Sequence, residues 1–309
     1  MALFAFGKTR GQRLDQEGRN IVQNRTLWGD ALRRLLKNRL AVIAFFWIIF
    51  MVIVALTGRL WVPSVFGEVI YPDSTIAAVM ARLPPSLEHP FGTDQLGRDV
   101  LGRIVYGAQV SLAVGILATL ISTTVGLFLG SVAAYFGGLL DSIIMRITDI
   151  FMAVPYTLFT IALLTVLGPG FVNIFLAIGL LGWTSICRVV RSAILQVKEN
   201  DYVSAARALG ASNLRIIMRH ILPNSIAAVV VYSTMSIGTA VLSEAALSFL
   251  GLGIQPPNPS WGLMISEGQV WLATAPWLVF CPGFAILTTV LAFTLLGDGL
   301  RDALDVKGN

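Results

Sequence analysis

The residue types that most often do chemistry are scarce here: two histidines, His89 and His220, and two cysteines, Cys187 and Cys281, in 309 residues. Three long apolar runs separate the histidines. An odd number of membrane crossings puts them on opposite faces, so neither a metal cluster nor a histidine-activated nucleophile can be assembled from them. Cys187 falls near the inner end of one run and Cys281 near the outer end of another, too far apart to bridge. Gly7-Lys8-Thr9 imitates the end of a phosphate-binding loop, but the glycine such a loop needs upstream would be residue 2, which is Ala2, and no strand precedes it. The chain is therefore expected to bind no cofactor of its own and not to be an enzyme.

The remaining ionisable candidates sit at the edges of apolar runs. Glu244 comes about 19 residues into its run, which at ~1.5 Å per residue places it near the outer boundary. An intramembrane carboxylate marks a pathway by default, whereas an interfacial one costs little, and both readings stay open. Asp141, Arg146 and Asp149 cluster at the inner end of another run, with Pro155 a turn or two deeper. Arg146 and Asp149 are spaced to pair at i,i+3, and the alternative is that Asp149 belongs to a gate. Asp94 with Arg98 and Asp99 with Arg103 are both spaced i,i+4, as on a helix capped by Thr93 or Asp94 that leads into the next run. That segment reads as an outer elbow, or else as a contact site for an extracytoplasmic partner.

The elements that must position these groups are membrane helices. The composition is 56% hydrophobic and 13% charged, with a mean hydropathy of +0.78, against roughly 25% charged in soluble domains. Apolar runs at 40–57, 109–135, 147–167, 172–190, 225–250 and 277–297 are each long enough, or nearly so, to cross a ~30 Å hydrocarbon core. The fold class expected is an all-α membrane protein with six transmembrane helices. Nine basic residues precede the first run, and 18 of the 22 fall on one side if the N-terminus is inside. Both termini are then cytosolic. The other four, Arg59, Arg82, Arg98 and Arg103, share one outer segment, where the charge rule weakens with loop length.

The organisation that follows is a cytosolic tail over 1–39, a first span over 40–57, an extracytoplasmic segment over 58–105, a five-helix core over 106–300 and a cytosolic tail over 301–309. No cleavable signal is expected, since about 39 polar, basic residues precede the first apolar run. Residues 28–39 read either as an amphipathic helix on the inner surface or as a solvated lead-in. The pI near 9.5 points to anionic lipid beside that tail, not to nucleic acid. Ala118, Ser122, Gly126, Gly130 and Ala134 recur every fourth residue, a smooth stripe that lets a neighbouring helix come close. Trp261, Trp271 and Trp277 fit an interfacial aromatic belt around the Gly- and Pro-rich stretch 251–262.

The longest inner connection, 191–224, has the most specific local signals. Asn200 or Asp201 can cap a short helix through Leu209; Gly210 suits a left-handed terminator; Ser212 or Asn213 can cap a second helix over 214–222; Pro223 suits the first turn of the fifth span. Ala205, Ala206 and Ala208 make the first helix slim enough to enter a groove on another protein. Leu214, Ile217, Met218 and Ile221 share a face of the second that is expected to pack under the membrane domain, with Arg215 and Arg219 on another.

This segment resembles the EAA loop of ABC-importer permeases, a pattern of Glu-Ala-Ala, three residues, Gly, nine residues, then Ile-x-Leu-Pro. The match falls on Ala205, Ala206, Gly210, Leu222 and Pro223. Ser204 stands where that family has Glu, and His220 where it has an apolar residue. His-Pro-Phe-Gly-Thr-Asp-Gln-Leu-Gly-Arg-Asp (89–99), Leu-Ser-Phe-Leu-Gly-Leu-Gly-Ile-Gln-Pro-Pro (247–257), Pro-Ser-Trp-Gly (259–262) and Leu-Leu-Gly-Asp-Gly-Leu-Arg-Asp-Ala-Leu-Asp (295–305) look like the C-type permease of oligopeptide, dipeptide and nickel importers. The resemblance spans roughly 30–306.

What it implies is a permease subunit in a bacterial or archaeal inner membrane, paired with a second permease, two ATPase subunits that hold ATP and Mg, and an extracytoplasmic binding protein. Peptide is the implied cargo, with nickel or another small solute as the alternative. The docking surface implied for the ATPase comprises Asp201, Ser204, Ala205, Ala206, Arg207, Leu209, Gly210, Ala211, Ser212, Leu222 and Pro223. Two rivals are weaker. A helix-turn-helix over 205–220 would have no room for a duplex so near the bilayer. A gradient-driven transporter would show midplane ionisable residues or broken helices in matched halves, and neither is evident in the sequence.

Overall fold

The computed structural model describes residues 27–67, 69 and 79–304. The tail over 1–26, with its Gly7-Lys8-Thr9, and residues 305–309 lie outside them. Among the described residues every regular element is helical, apart from one isolated bridge between Thr93 and Asp99.

A short amphipathic helix, α1 (Leu27–Leu35), precedes α2 (Arg39–Phe66), whose start is capped by Asn38 accepting from the Ala41 N–H at 3.2 Å. Within the 28–39 stretch the helix ends at Leu35, before Asn38. Then come α3 (Val100–Phe136), α4 (Gly138–Ala153), α5 (Tyr156–Leu167) and α6 (Phe171–Lys198). The cytosolic-loop candidate forms α7 (Asp201–Ala208), followed by α8 (Asn213–Phe249), a short helix α9 (Trp261–Gly268) and α10 (Trp277–Leu304).

Five of these, α2, α3, α6, α8 and α10, are long and apolar enough to cross a membrane, and α4 with α5 would make a sixth. The expected third span is not straight, however: α4 and α5 meet at 85°. Pro155 is the cause. A proline disfavours helical backbone in the residue before it, and Val154 is extended, with φ −92° and ψ 131°. The spans also run past the apolar cores seen in sequence. At 37 residues α3 is roughly 55 Å long, longer than the hydrocarbon core is thick, and it begins nine residues before the apolar run at 109–135.

The second helix of the loop is likewise not separate. Asn213 runs straight into α8 through a π-helical turn, Ile217–Ile221. Pro223 has no N–H to give and its ring crowds the carbonyl one turn back, so the widened turn just before it lets the helix continue without a break.

The core forms where α3 and α6 meet. All five small residues of the α3 stripe are buried. A Cβ on Gly126 would lie 2.9 Å from the Trp183 carbonyl oxygen, and one on Gly130 would lie 2.7 Å from that of Cys187. Ser122 donates to the Gly179 carbonyl at 2.8 Å. The helices touch backbone to backbone, the geometry that small residues permit in lipid, where dispersion and hydrogen bonds replace hydrophobic expulsion as the force between helices.

Candidate functional site

Three places hold polar groups in arrangements that could work: the loop at α7, a cavity beside the α4–α5 break, and the opposite end of the bundle. In the loop, α7 is seated by Val203, which is 1% exposed, against Ile216 and Ile221, both 0%. Gly210 adopts φ +81°, the left-handed conformation that ends a helix at little cost only for glycine. Ser212 caps the next helix, accepting from the Arg215 N–H. Asn200, expected to cap α7, instead turns its amide to donate to the Val197 carbonyl.

Asp201, Ser204, Ala205, Arg207, Ala208, Leu209 and Gly210 are exposed, and Ala206 and Ala211 half-buried. One expectation fails. Leu214 and Met218 do not pack under the membrane domain; they are 70% and 60% exposed, and the packing falls to Ile216 and Ile221. The offset arises because the π turn adds a residue per turn and so rotates the face. With Leu209 at 87%, they leave an apolar patch on the outside of the loop.

The loop is held to the bundle by polar contacts the sequence spacing did not suggest. The Tyr135 hydroxyl, at the end of α3, donates to the Asn213 side-chain oxygen at 2.7 Å. The Lys198 ammonium donates to the Ala134 and Tyr135 carbonyls, satisfying acceptors that a helix C-terminus leaves open. Arg191 grips Asp141 with two hydrogen bonds of 2.6 Å, fixing the start of α4 to α6. Asp149 pairs with Arg188 at 2.5 Å, not with Arg146 as its i,i+3 spacing suggested. Each real partner lies 39 or 50 residues away on another helix, and such pairs have no local signature.

The cavity has a volume of about 360 Å³. It lies where the α4–α5 break opens a space against α3, α6 and α8, with Val154, Pro155 and Tyr156 on one side and Tyr232, Ser236 and Thr239 on another. Its polar lining is hydroxyl groups, without a carboxylate, ammonium or guanidinium. Asp149 lies two residues from the lining Phe151 and is half-exposed, as is Arg188.

Glu244 does not line this cavity. It is 0% exposed and so faces neither solvent nor a cavity. Ser111 of α3 donates to one carboxylate oxygen at 2.8 Å and Ser248 to the other at 2.7 Å. Those hydroxyls in turn accept from the Trp261 and Ile254 N–H groups at 3.4 and 3.1 Å. One carboxylate thereby organises the connection after α8. Trp261, expected at the membrane interface, is wholly buried and donates its indole N–H to the Ile104 carbonyl at 3.0 Å.

At that end the segment before α3 is a loop, not a helix. Asp94 does pair with Arg98, at 2.7 Å, but it also receives Arg103, and Arg103 reaches Glu267 of α9 at 3.0 Å. Asp99 does not pair with Arg103; it caps α3 by accepting from the Gly102 N–H at 2.7 Å and contacts His89 Nδ1 at 2.8 Å. Asp94, Arg98, Asp99 and Arg103 are all at most 5% exposed. Burial, with Arg103 adding to it, pulls the Arg98 guanidinium below its ordinary range, and Asp94 and Glu267 oppose that shift. His89 belongs to this cluster and His220 to the loop at the other end, and no group of three metal-ligating side chains occurs among the described residues.

Long apolar helices, a charge-free cavity and an outward-facing loop helix define a polytopic membrane protein whose working parts are surfaces. Residues 126–307 match the family described as binding-protein-dependent transport system inner membrane component, and residues 26–85 match the N-terminal TM domain of oligopeptide transport permease C. The chain is 43% identical over 281 residues to the dipeptide transport system permease protein DppC of Bacillus subtilis (strain 168), which covers 90% of this chain and 85% of that one. It is 42% identical over 285 residues to the glutathione transport system permease protein GsiD of Escherichia coli O6:K15:H31 (strain 536 / UPEC), covering 92% of each. A solved structure of the MetNI methionine ABC transporter in an inward-facing conformation aligns with a TM-score of 0.54 at 19% identity, over 65% of this chain and 95% of that one, and so shares the fold.

The chain belongs to the family of binding-protein-dependent transport system inner membrane components: multi-pass ABC transporter permeases, not enzymes, that work with ATPase and further permease subunits.

Truncating Glu244 strips two buried hydroxyls of their acceptor and leaves a void. Glu244→Ala is expected to cost roughly 2–4 kcal/mol, read as a drop of several degrees in the thermal unfolding midpoint of the detergent-purified protein. Glu244→Gln, which keeps shape and one acceptor, loses less; an Ala variant as stable as the parent would contradict the role.

Proposed function

We propose that this chain is one of two permeases in an ATP-driven peptide importer of a bacterial or archaeal inner membrane, with di- or oligopeptides as cargo. The relatives named above transport dipeptides and glutathione, which supports a peptide-sized substrate. In this reading the hydroxyl-lined cavity beside the α4–α5 break is this subunit's part of the pathway. A wall without charge makes no salt bridge to a peptide's termini or side chains, so varied sequences can pass, and selection rests with an extracytoplasmic binding protein.

The basic residues before α2 and in the 188–219 segment support a cytosolic placement of both termini and of α7. There α7 is the docking element for an ATPase subunit, and ATP and Mg are held by that subunit. The single observation that carries this is the loop's construction: α7 is anchored from beneath by Val203, while Ser204, Ala205 and Arg207 to Gly210, with Leu214 and Met218, are exposed. An apolar patch this exposed marks a surface that another protein covers. Ser204 supplies no carboxylate, so the contact rests on shape: a slim Ala-lined helix with its glycine turn, and Leu222-Pro223 within the continuous α8 that would carry motion toward the bundle. Of the two pathway candidates, Asp149 is the gate residue, joined to Arg188 close in sequence to the cavity-lining Phe151 and Ser185, while Glu244 holds the opposite end together.

Co-purification tests the docking. An ATPase subunit should be retained by the native chain and lost with Ala206→Glu or Gly210→Asp; retention by both would refute it. The gate role predicts that Asp149→Asn slows or deregulates peptide uptake severalfold while the subunits still co-purify, and uptake at the parental rate would remove it.

A further inference from the structure

The short helix α1 lies across the end of α10, and the two do not close on one another. Ala31, Leu32 and Leu35 on one side and Leu300, Ala303 and Leu304 on the other bound a groove of about 260 Å³. Ala31 and Ala303, at 7% and 5% exposed, form its floor, and Leu35 also lies against the Gly299 backbone. Small side chains at the floor keep the groove open. Its walls are aliphatic, so water entering would find no hydrogen-bonding partner; such a space stays dry and takes hydrocarbon.

The other side of α1 has the opposite character. Arg33 and Arg34 occupy its last turn, and Lys37 and Arg39 follow before α2 has properly begun. Asp30 of α1 and Asp298 and Asp302 near the end of α10 offset part of this charge, but with Arg301 the balance over these positions stays positive, five basic residues against three acidic. An amphipathic helix with an apolar underside and a basic roof sits at the level of lipid headgroups. Leu32, Leu36 and Leu40 are 57%, 62% and 60% exposed on the same stretch, as expected where the neighbours are acyl chains.

We propose that the α1–α10 groove is a binding site for one phospholipid of anionic headgroup, its acyl chain between Leu32 and Leu304 and its phosphate against Arg33, Lys37 and Arg39. A neutral lipid would satisfy the groove but not the roof. The assignment needs only that α2 and α10 span the membrane, and holds whichever face α1 lies on. A lipid here would wedge α1 to α10, the helix that Gly238 of α8 packs against at Phe293, and so bear on the position of the core.

The probe is dioleoyl-phosphatidylglycerol, with dioleoyl-phosphatidylcholine as its neutral counterpart, added to the assembled, delipidated transporter and followed by native mass spectrometry. The expected result is one retained phosphatidylglycerol per copy of this chain, with phosphatidylcholine held about tenfold more weakly. Arg33→Gln/Lys37→Gln/Arg39→Gln, surface changes that leave the bundle intact, should bring the two lipids to equal affinity. Ala303→Phe, which fills the floor, should lose both. Equal retention of the two lipids by the parent, or an adduct that survives both sets of changes, would overturn the site. So would removal of residues 1–26 raising phosphatidylglycerol binding strongly, because the chain's own N-terminal segment would then be the natural occupant.

Discussion

The contact between α3 and α6 constrains the rest of the bundle. Gly126 and Gly130 present bare backbone to Trp183, Ile186, Cys187 and Val190, and no side chain fits between them. Two helices so close cannot slide or tilt independently, because close-packed interfaces shift between discrete arrangements and do not deform smoothly. The pair therefore acts as a strut. At one end it carries Ser111, which with Glu244 and Trp261 fixes the connection after α8. At the other it carries Tyr135 and Lys198, to which the loop is tied. On the proposed docking, a displacement of α7 would reach a stiff element, whereas the helix lining the cavity is interrupted at the α4–α5 break.

Charge is placed in two ways along the strut. Toward the loop, Asp149–Arg188 and Asp141–Arg191 are partly exposed pairs between neighbouring helices; pairs of that kind contribute little to stability and can be exchanged cheaply. At the far end, Asp94, Arg98, Arg103 and Glu267 form a buried network, with Asp99 serving as cap. Breaking a buried charge network leaves unpaired ions and costs several kcal/mol. The loop end is thus suited to movement, and the far end to holding the 80–99 segment, α9 and the start of α3 as one piece.

Much of this was legible in the sequence, where the signal is local and periodic. The α3 stripe, the Gly210 turn, the Ser212 cap and the identity of the membrane helices all follow from residue types at helical or turn spacing. The failures share a cause. Asp149 with Arg146 and Asp99 with Arg103 have helical pair spacing, yet Asp149 finds Arg188 on another helix, and Asp99 takes the Gly102 N–H and His89. Glu244 was placed by counting residues, which cannot reveal Ser111, 133 positions away. Trp261 followed a compositional rule for interfaces although its indole has a buried acceptor in Ile104. The bend at Pro155 follows from the rule that a residue before proline leaves the helix, although the apolar run continues through it.

The central claim is that this subunit contributes a passive, charge-free pathway wall whose opening is driven through α7 by ATP hydrolysis on a partner. Uptake of a labelled dipeptide into proteoliposomes holding the assembled transporter tests it most directly, with binding protein on one side and ATP with Mg on the side of α7. The account predicts accumulation that requires ATP and persists when proton and sodium gradients are collapsed. Accumulation without ATP, driven by an imposed ion gradient, would contradict it.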